Sequence, residues 1–179
     1  MSKVLAILAE GFEEIEAITP IDLLRRAGVE VTLAALEEGE HVTGKNGITL
    51  HADANLSDLC SDDYDCIFLP GGPGVKHLRT SGRVIEIVRK QHASNKLLAA
   101  ICAAPTVLHD AGVLTDKRYT AHFTVADELS DILLEEKVVI DGNVLTSRGA
   151  GTALDFGLAM VEQLIGPTEA AEVSVSICV

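Results

Sequence analysis

The chain has 179 residues, within the ~100–200 residues of a typical single domain, and it is 47% hydrophobic and 23% charged, as globular proteins are. Its 14 Lys and Arg residues against 27 Asp and Glu residues give a formal net charge of −13. That charge repels phosphate groups, so we expect neither a basic nucleic-acid-binding surface nor attachment to an anionic membrane.

The sequence also bears on the cellular location of the protein and on whether it needs disulfides, a metal or a cofactor. No stretch reaches the ~18 apolar residues of a membrane span, and the apolar run that ends before Glu10 lacks the shape of a signal peptide. We therefore expect one domain over residues 1–179, located in the cytoplasm. The cysteines are too few and too scattered for a disulfide framework or a zinc site: Cys60, Cys66, Cys102 and Cys178. Neither a GxGxxG motif nor a P-loop is present, so we expect no metal and no cofactor.

Short apolar runs alternate with helical patterns along the chain. This order is typical of βαβ units around a parallel sheet that is covered on both faces. The predicted strands span residues 4–9, 29–35, 66–69, 97–101 and 144–147. Two turn sequences, Asn46-Gly47 and Gly142-Asn143, predict β-hairpins, the first within residues 41–51. The sequence therefore predicts an α/β fold.

The first helix is predicted over residues 15–27, with apolar residues every third position and Gly28 as the glycine after its end. Pro20 interrupts this pattern. It marks either a kink or a restart of the helix, in which Thr19 would be the N-cap and Asp22 would complete a capping box.

Three more helices are predicted, over residues 84–92, 103–111 and 152–165. In the last, Thr152 and Asp155 are expected to form a capping box. The residues expected to face inward are Val84, Ile87 and Val88 in the earlier helix and Leu154, Leu158, Val161 and Ile165 in the last one.

Ligands of open α/β sheets bind beyond the carboxyl ends of the strands. Cys102 lies directly after the predicted fourth strand, at an elbow into a helix. A helix N-terminus is expected to lower the pKa of that thiol and to favour the nucleophilic thiolate. The alternative is a buried structural thiol, because free cysteines are among the most buried residues.

Candidate partners for this thiol lie after the predicted first and third strands. Gly71-Gly72 would let the backbone approach a ligand and offer N–H groups to an oxyanion, although a simple tight turn is the alternative. If Glu13 and Glu14 face solvent, Glu16 points towards the elbow, where a neighbouring thiolate would keep it protonated. His122 is a candidate general acid or base, or else an ordinary polar residue.

Four motifs occur in an order that resembles the ThiJ/PfpI superfamily over residues 3–172. The branch is that of the parkinsonism-associated protein and its bacterial relatives. The motifs are Glu-Glu-Ile-Glu-Ala at 13–17, Leu-Pro-Gly-Gly at 69–72, Ala-Ala-Ile-Cys-Ala-Ala-Pro at 99–105 and Leu-Thr-Ser-Arg-Gly at 145–149.

This resemblance implies a flavodoxin-like three-layer sandwich with a mostly parallel sheet, a nucleophile elbow after the fourth core strand, and a homodimer. Cys102 falls on the oxidation-sensitive nucleophile, Glu16 on its protonated partner and His122 on a nearby histidine. The resemblance also places Gly71, Gly72 and the N–H of Ala103 in the pocket that holds oxygens beside the sulfur, and Arg26 near the site and the dimer contact.

Three positions depart from related branches. Asn46 stands where animal members carry a second arginine, and His51 stands where they carry an additional cysteine. Protease-like members have a histidine directly after the nucleophile, whereas here Ala103 follows Cys102, which argues against peptidase activity.

The resemblance implies a cofactor-free, cysteine-dependent enzyme that acts on small reactive dicarbonyls. It would convert methylglyoxal or glyoxal into a hydroxy acid, as glyoxalase III enzymes do, or deglycate the early adducts of these compounds with amines and thiols. One alternative is a redox-sensing stress protein or chaperone that works through oxidation of Cys102. Another is an inert dimer in which Cys102 is structural.

Overall fold

The computed structural model describes residues 1–61 and 64–179. Its strands are β1 (Lys3–Leu8), β2 (Glu30–Ala35), β3 (His41–Thr43), β4 (Thr49–His51), β5 (Ala54–Asn55), β6 (Cys66–Leu69), β7 (Leu97–Ile101), β8 (Val138–Asp141) and β9 (Val144–Ser147). Its α-helices are α1 (Glu14–Arg26), α2 (Val75–Thr80), α3 (Gly82–Ala93), α4 (Pro105–Asp110), α5 (Ala153–Leu164) and α6 (Pro167–Ser176).

Seven strands form one sheet in the order β5-β2-β1-β6-β7-β9-β8. All neighbours are parallel except β8 and β9, which are antiparallel, and β3 and β4 pair separately as an antiparallel hairpin. The predicted mostly parallel α/β sheet and both predicted hairpins are confirmed. The bounds of β6, β7 and β9 agree with the prediction, because each apolar run is bounded by turn residues.

Helices cover both faces of the sheet and make three layers. Along β1, the side chains of Val4, Ala6 and Leu8 belong to one core with α1, α5 and α6. Leu5 and Ile7 belong to the opposite core with α2, α3 and α4. Successive side chains of a strand point to opposite faces, so one strand contributes to both cores. The flavodoxin-like sandwich is confirmed.

Helix α1 runs without interruption through Pro20, so the second alternative, a restart capped by Thr19, is wrong. Its N-cap is Glu13, whose Oε2 accepts a hydrogen bond from the N–H of Glu16. Pro20 is buried against α5, where a Cβ on Gly157 would lie only 3.0 Å from Pro20 Cα. The close contact between α1 and α5 thus stabilises a helix that proline disfavours.

Helix α5 begins after Thr152, but the expected capping box is absent. The Thr152 hydroxyl donates to the carbonyl of Gly149 instead, and Asp155 pairs with Lys137. The prediction for the inward face was only partly right: Val161 is buried, Leu154 and Leu158 are partly buried, and Ile165 is exposed. The other buried residues of this helix are Ala153, Phe156, Gly157 and Met160. The inward positions of α3 are confirmed.

Within residues 1–61 and 64–179, no helix combines the length and the apolar character needed to cross a bilayer.

Candidate active site

Cys102 is the first residue after β7 and forms the predicted elbow. Its φ of +65° is unusual for a residue other than glycine. Two backbone hydrogen bonds hold this conformation: the Cys102 N–H donates to Ser147 O at 2.9 Å, and its carbonyl accepts from the His122 N–H at 2.8 Å. A strained elbow that is held by hydrogen bonds to a neighbouring strand and to a loop is typical of a nucleophile position.

Three groups form hydrogen bonds with the sulfur of Cys102: the Glu16 carboxyl and the backbone N–H groups of Gly72 and Ala103. Burial, the charge of Glu16 and its hydrogen bond raise the pKa of the Cys102 thiol to about 12, although the two N–H groups lower it. The expected lowering by a helix N-terminus is therefore wrong. Helix α4 begins only at Pro105 and has six residues, so its effect is outweighed.

Glu16 lies beside this thiol with only 2% of its surface exposed. Burial and the charge of Glu13 raise its pKa to about 7, against the lowering effects of Cys102, the Gly71 N–H and Lys45. Because two adjacent anions repel each other, Glu16 and Cys102 together retain at least one proton at neutral pH, and the form with one proton is the reactive one. When that proton is on Glu16, the sulfur is a thiolate with three hydrogen-bond donors.

The condition that Glu13 and Glu14 face solvent is not met, since each residue is buried and only 4% exposed. Glu13 caps α1 and lies 3.9 Å from Lys45 Nζ. Glu14 is held by the turn between β3 and β4, where it accepts from the Asn46 N–H at 2.6 Å and from its Nδ2 at 2.9 Å. Burial raises the pKa of Glu14, but hydrogen bonds from its own N–H, Asn46 and Ile48 outweigh it and lower the pKa.

The backbone of Gly71 positions Glu16. Its N–H donates to Glu16 Oε2 at 3.0 Å, and its carbonyl accepts from the Glu13 N–H at 2.9 Å. A Cβ on Gly71 would clash with the Glu16 carboxyl and lie 2.5 Å from Cys102 Cβ. The N–H of Gly71 is therefore already used, whereas that of Gly72 faces the sulfur.

His122 approaches from the loop after β7 and α4. Its Nδ1 accepts from the Thr124 N–H at 3.4 Å and lies 2.8 Å from the Thr124 hydroxyl. Its ring packs on Phe123, with 4.3 Å between the ring centroids. An acceptor at Nδ1 places the proton of a neutral ring on Nε2, next to the Cδ2 edge.

The side chains of Cys102, Glu16 and His122 meet around a single point beside Gly149. A Cβ on Gly149 would lie 3.3 Å from His122 Cδ2, 3.5 Å from Glu16 Oε1 and 4.0 Å from Cys102 Sγ. A single carbon atom at this Cβ position would therefore be within 4.0 Å of all three groups.

No metal site accompanies this arrangement in the described part of the chain: residues 1–61 and 64–179 contain no group of three or more His, Cys, Asp and Glu side chains that could hold an ion.

Comparisons with known proteins agree with this geometry. The sequence profile of the DJ-1/PfpI family matches residues 2–163. Protein dj-1beta of Drosophila melanogaster is 41% identical over 179 residues, which cover 97% of this chain and 96% of that protein. The chain belongs to the DJ-1/PfpI family.

Two other DJ-1 relatives bear on chemistry. A Caenorhabditis elegans protein named glutathione-independent glyoxalase DJR-1.2 is 36% identical over 99% of this chain and 96% of its own length. The structure of oxidized DJ-1 from Toxoplasma gondii superposes with a TM-score of 0.94 at 35% identity, covering 99% of this chain and 98% of that one. The crystal structure of Drosophila melanogaster DJ-1beta superposes with a TM-score of 0.96 at 40% identity. The match covers 100% of this chain and 99% of that one.

One residue from the DJ-1/PfpI resemblance does not reach the site within this chain. Arg26 is the last residue of α1, ten positions after Glu16, or ~15 Å along the helix. Its Nε donates to Asp22 at 2.6 Å on an exposed surface. Its contact with substrate remains a prediction that requires a second copy of the chain.

Three residues that contribute to this site were not predicted from the sequence. Glu13 and Lys45 influence Glu16 through their charges, and Gly149 lies where the three reacting side chains meet. Gly149 was detectable, because it lies just beyond the carboxyl end of β9, where ligands of such sheets bind. The role of Lys45 depends on the β3–β4 hairpin, which places it 3.9 Å from Glu13, and has no local signal.

Proposed function

We propose that this chain is a cofactor-free enzyme that converts 2-oxoaldehydes such as methylglyoxal into hydroxy acids through Cys102. The observation that carries the proposal is the convergence of Cys102, Glu16 and His122 on the Cβ position of Gly149. The similarity to a protein named as a glutathione-independent glyoxalase supports it.

The reaction begins from the form in which Glu16 holds the shared proton. The Cys102 thiolate attacks the aldehyde carbon, a carbon–sulfur bond forms, and the carbonyl electron pair moves to oxygen. Glu16 gives its proton to that oxygen, which yields a hemithioacetal and a Glu16 carboxylate. The N–H of Gly72 stabilises the developing negative charge.

The Glu16 carboxylate then takes the proton from the former aldehyde carbon. The released electron pair forms a carbon–carbon double bond, and the neighbouring ketone oxygen becomes an enediolate oxygen. The Nε2–H of His122 stabilises this oxygen by a hydrogen bond. Glu16 returns the proton to the former ketone carbon, and the hydroxyl proton passes to the neighbouring oxygen, which leaves a thioester.

Water attacks the thioester and releases the hydroxy acid and the Cys102 thiolate, while the second proton of the water returns to Glu16 and restores the starting form. The sum is methylglyoxal plus water giving lactate and a proton, so no external oxidant or reductant is needed. With an early amine or thiol adduct, the Cys102 thiolate would displace the amine or thiol, which would leave with the proton of Glu16. The same hemithioacetal would follow, and the protein would then act as a deglycase.

The test is lactate formation from methylglyoxal without added thiol. Cys102→Ala should abolish it, while Cys178→Ala, which removes an exposed thiol, should retain it. Undiminished turnover by a folded Cys102→Ala variant would overturn the mechanism.

A second candidate function is redox sensing, possible because the sulfur has three hydrogen-bond donors that also suit a sulfinate. A related DJ-1 whose structure is that of an oxidized form supports this candidate. Two equivalents of peroxide would add two oxygens to the Cys102 sulfur and release two waters. Selective gain of two oxygens on Cys102, without dicarbonyl turnover, would favour the sensor; equal oxidation of Cys60 and Cys178 would contradict it.

We also propose that the chain is a cytoplasmic homodimer that associates through α1. The supporting observation is a set of exposed isoleucines beside the site: Ile15 is 54% exposed, Ile18 37%, and Ile48 of the β3–β4 turn 50%. Exposed apolar residues in one region favour a protein contact.

A further inference from the structure

A cavity of about 360 Å³ lies next to the reacting groups and has no role in the mechanism above. It is lined by His122, Arg148 and residues 149–152. Two of these, His122 and Gly149, also border the space in front of the Cys102 thiol. A ligand attached to Cys102 can therefore extend into this cavity.

Arg148 supplies the positive charge of the cavity. Its Nη1 donates to the carbonyl of Leu134 at 2.9 Å, which anchors the guanidinium while Nη2 and Nε have no protein acceptor in the described parts of the chain. No carboxylate within residues 1–61 and 64–179 forms an ion pair with it. A partly buried guanidinium anchored on one side is suited to bind a carboxylate on the other.

The charges around the cavity indicate that Arg148 is the group that would bind an anion there. In the form that holds one proton, Glu16 and Cys102 share one negative charge, which repels an anionic substrate. Lys45, the cation on the other side of the site, already lies 3.9 Å from Glu13. Among the residues that line the cavity, Arg148 is therefore the group that can offset this repulsion.

We propose that Arg148 and this cavity form a subsite for a carboxylate, carried either by a dicarbonyl substrate or by its hydroxy acid product. The inference rests on the proposed function for the identity of the ligand, but the subsite itself does not need turnover. Arg148 then selects anionic over neutral compounds of the same size.

Alkylation of Cys102 tests the subsite without catalysis. Iodoacetate and iodoacetamide attack the same sulfur and have similar size, but only iodoacetate carries a carboxylate. The ratio of their rate constants at Cys102, measured by peptide mass spectrometry at one pH, should fall about tenfold or more in Arg148→Gln. Arg118→Gln makes the same change in net charge at the opposite end of β9, beside Asp141, and should leave the ratio unchanged.

An unchanged ratio in Arg148→Gln would overturn the proposal, and so would an equal fall in Arg118→Gln, which would reflect net charge alone. If Arg148→Gln does not fold, Arg148→Lys gives the same test, because it keeps the charge but loses the planar fork and should give an intermediate ratio. Lactate should protect Cys102 from iodoacetamide most strongly in the wild-type protein, less in Arg148→Lys and least in Arg148→Gln. A protein without glyoxalase turnover but with an Arg148-dependent ratio would contradict the proposed function and leave the subsite standing.

Discussion

The N–H of Gly71 donates to Glu16 Oε2 at 3.0 Å, and this hydrogen bond places the carboxyl beside the Cys102 thiol. The Gly71 carbonyl accepts from the N–H of Glu13, the residue that caps α1. The loop after β6 thus fixes the start of α1 from two sides. The position of the acid relative to the nucleophile therefore depends on a residue without a side chain.

Gly71→Ala should displace Glu16, because the added Cβ would clash with its carboxyl. Loss of a positioned acid and base costs about 10²- to 10⁴-fold in rate, so we expect a loss in kcat of that order. The matched control is Gly82→Ala, since a Cβ there has no neighbour within 4 Å. Equal methylglyoxal turnover by the two variants would contradict this role of Gly71.

Gly149→Ala should fill the space between the three reacting side chains. We expect a fall of at least about tenfold in kcat/KM for methylglyoxal and a slower reaction of Cys102 with iodoacetamide. Gly151→Ala is the control, because its Cβ would meet nothing within 4 Å. The φ of Gly149 is +158°, so thermal melts must accompany the kinetics to separate strain from blockage. A folded Gly149→Ala variant with full activity would refute the blockage.

Glu16 makes the stability of the protein depend on pH. Its pKa is raised from 4.5 to about 7 in the folded protein, so folding favours the protonated form. Relative to Glu16→Gln, the wild-type protein should lose stability as pH rises from about 4.5 through 7, by on the order of 3 kcal/mol in total. Urea unfolding of both proteins at pH 5 and pH 8 measures this difference. Equal differences at the two pH values would mean that the pKa of Glu16 is not raised.

Ile15→Glu should weaken the proposed dimer, because it places a charge in the exposed apolar region of α1. Ile140→Glu is the control: Ile140 is exposed to a similar degree, but it lies on β8, at the edge of the sheet. Light scattering should give a monomer mass for the first variant and a dimer mass for the second. A dimer in both cases would place the contact elsewhere.

The strands and hairpins could be predicted from the sequence because their signals are local. The runs that became β6, β7 and β9 are apolar and end at turn residues, and Asn46-Gly47 specifies a hairpin by itself. Pro20 could not be interpreted in the same way, because its place within α1 depends on contact with Gly157.

The residues of the site could be predicted from the sequence better than their burial and their pKa values. The positions of Cys102 and Glu16 followed from motifs, and that of His122 followed from the family resemblance. The burial of Glu13 and Glu14 depends on a hairpin about 30 residues away in sequence. The raised pKa of Cys102 depends on burial and on Glu16, which outweigh the local effect of the helix that follows.

The most direct test of the central claim is to quench the reaction of the protein with methylglyoxal at short times and to analyse the peptide that contains Cys102 by mass spectrometry. The mechanism predicts an adduct of one methylglyoxal on Cys102 that forms before lactate and decays as lactate accumulates. This adduct should persist longer in Glu16→Gln because the proton transfer is lost, and its formation on Cys102 is essential to the mechanism. Lactate formation without any adduct on Cys102 would contradict it.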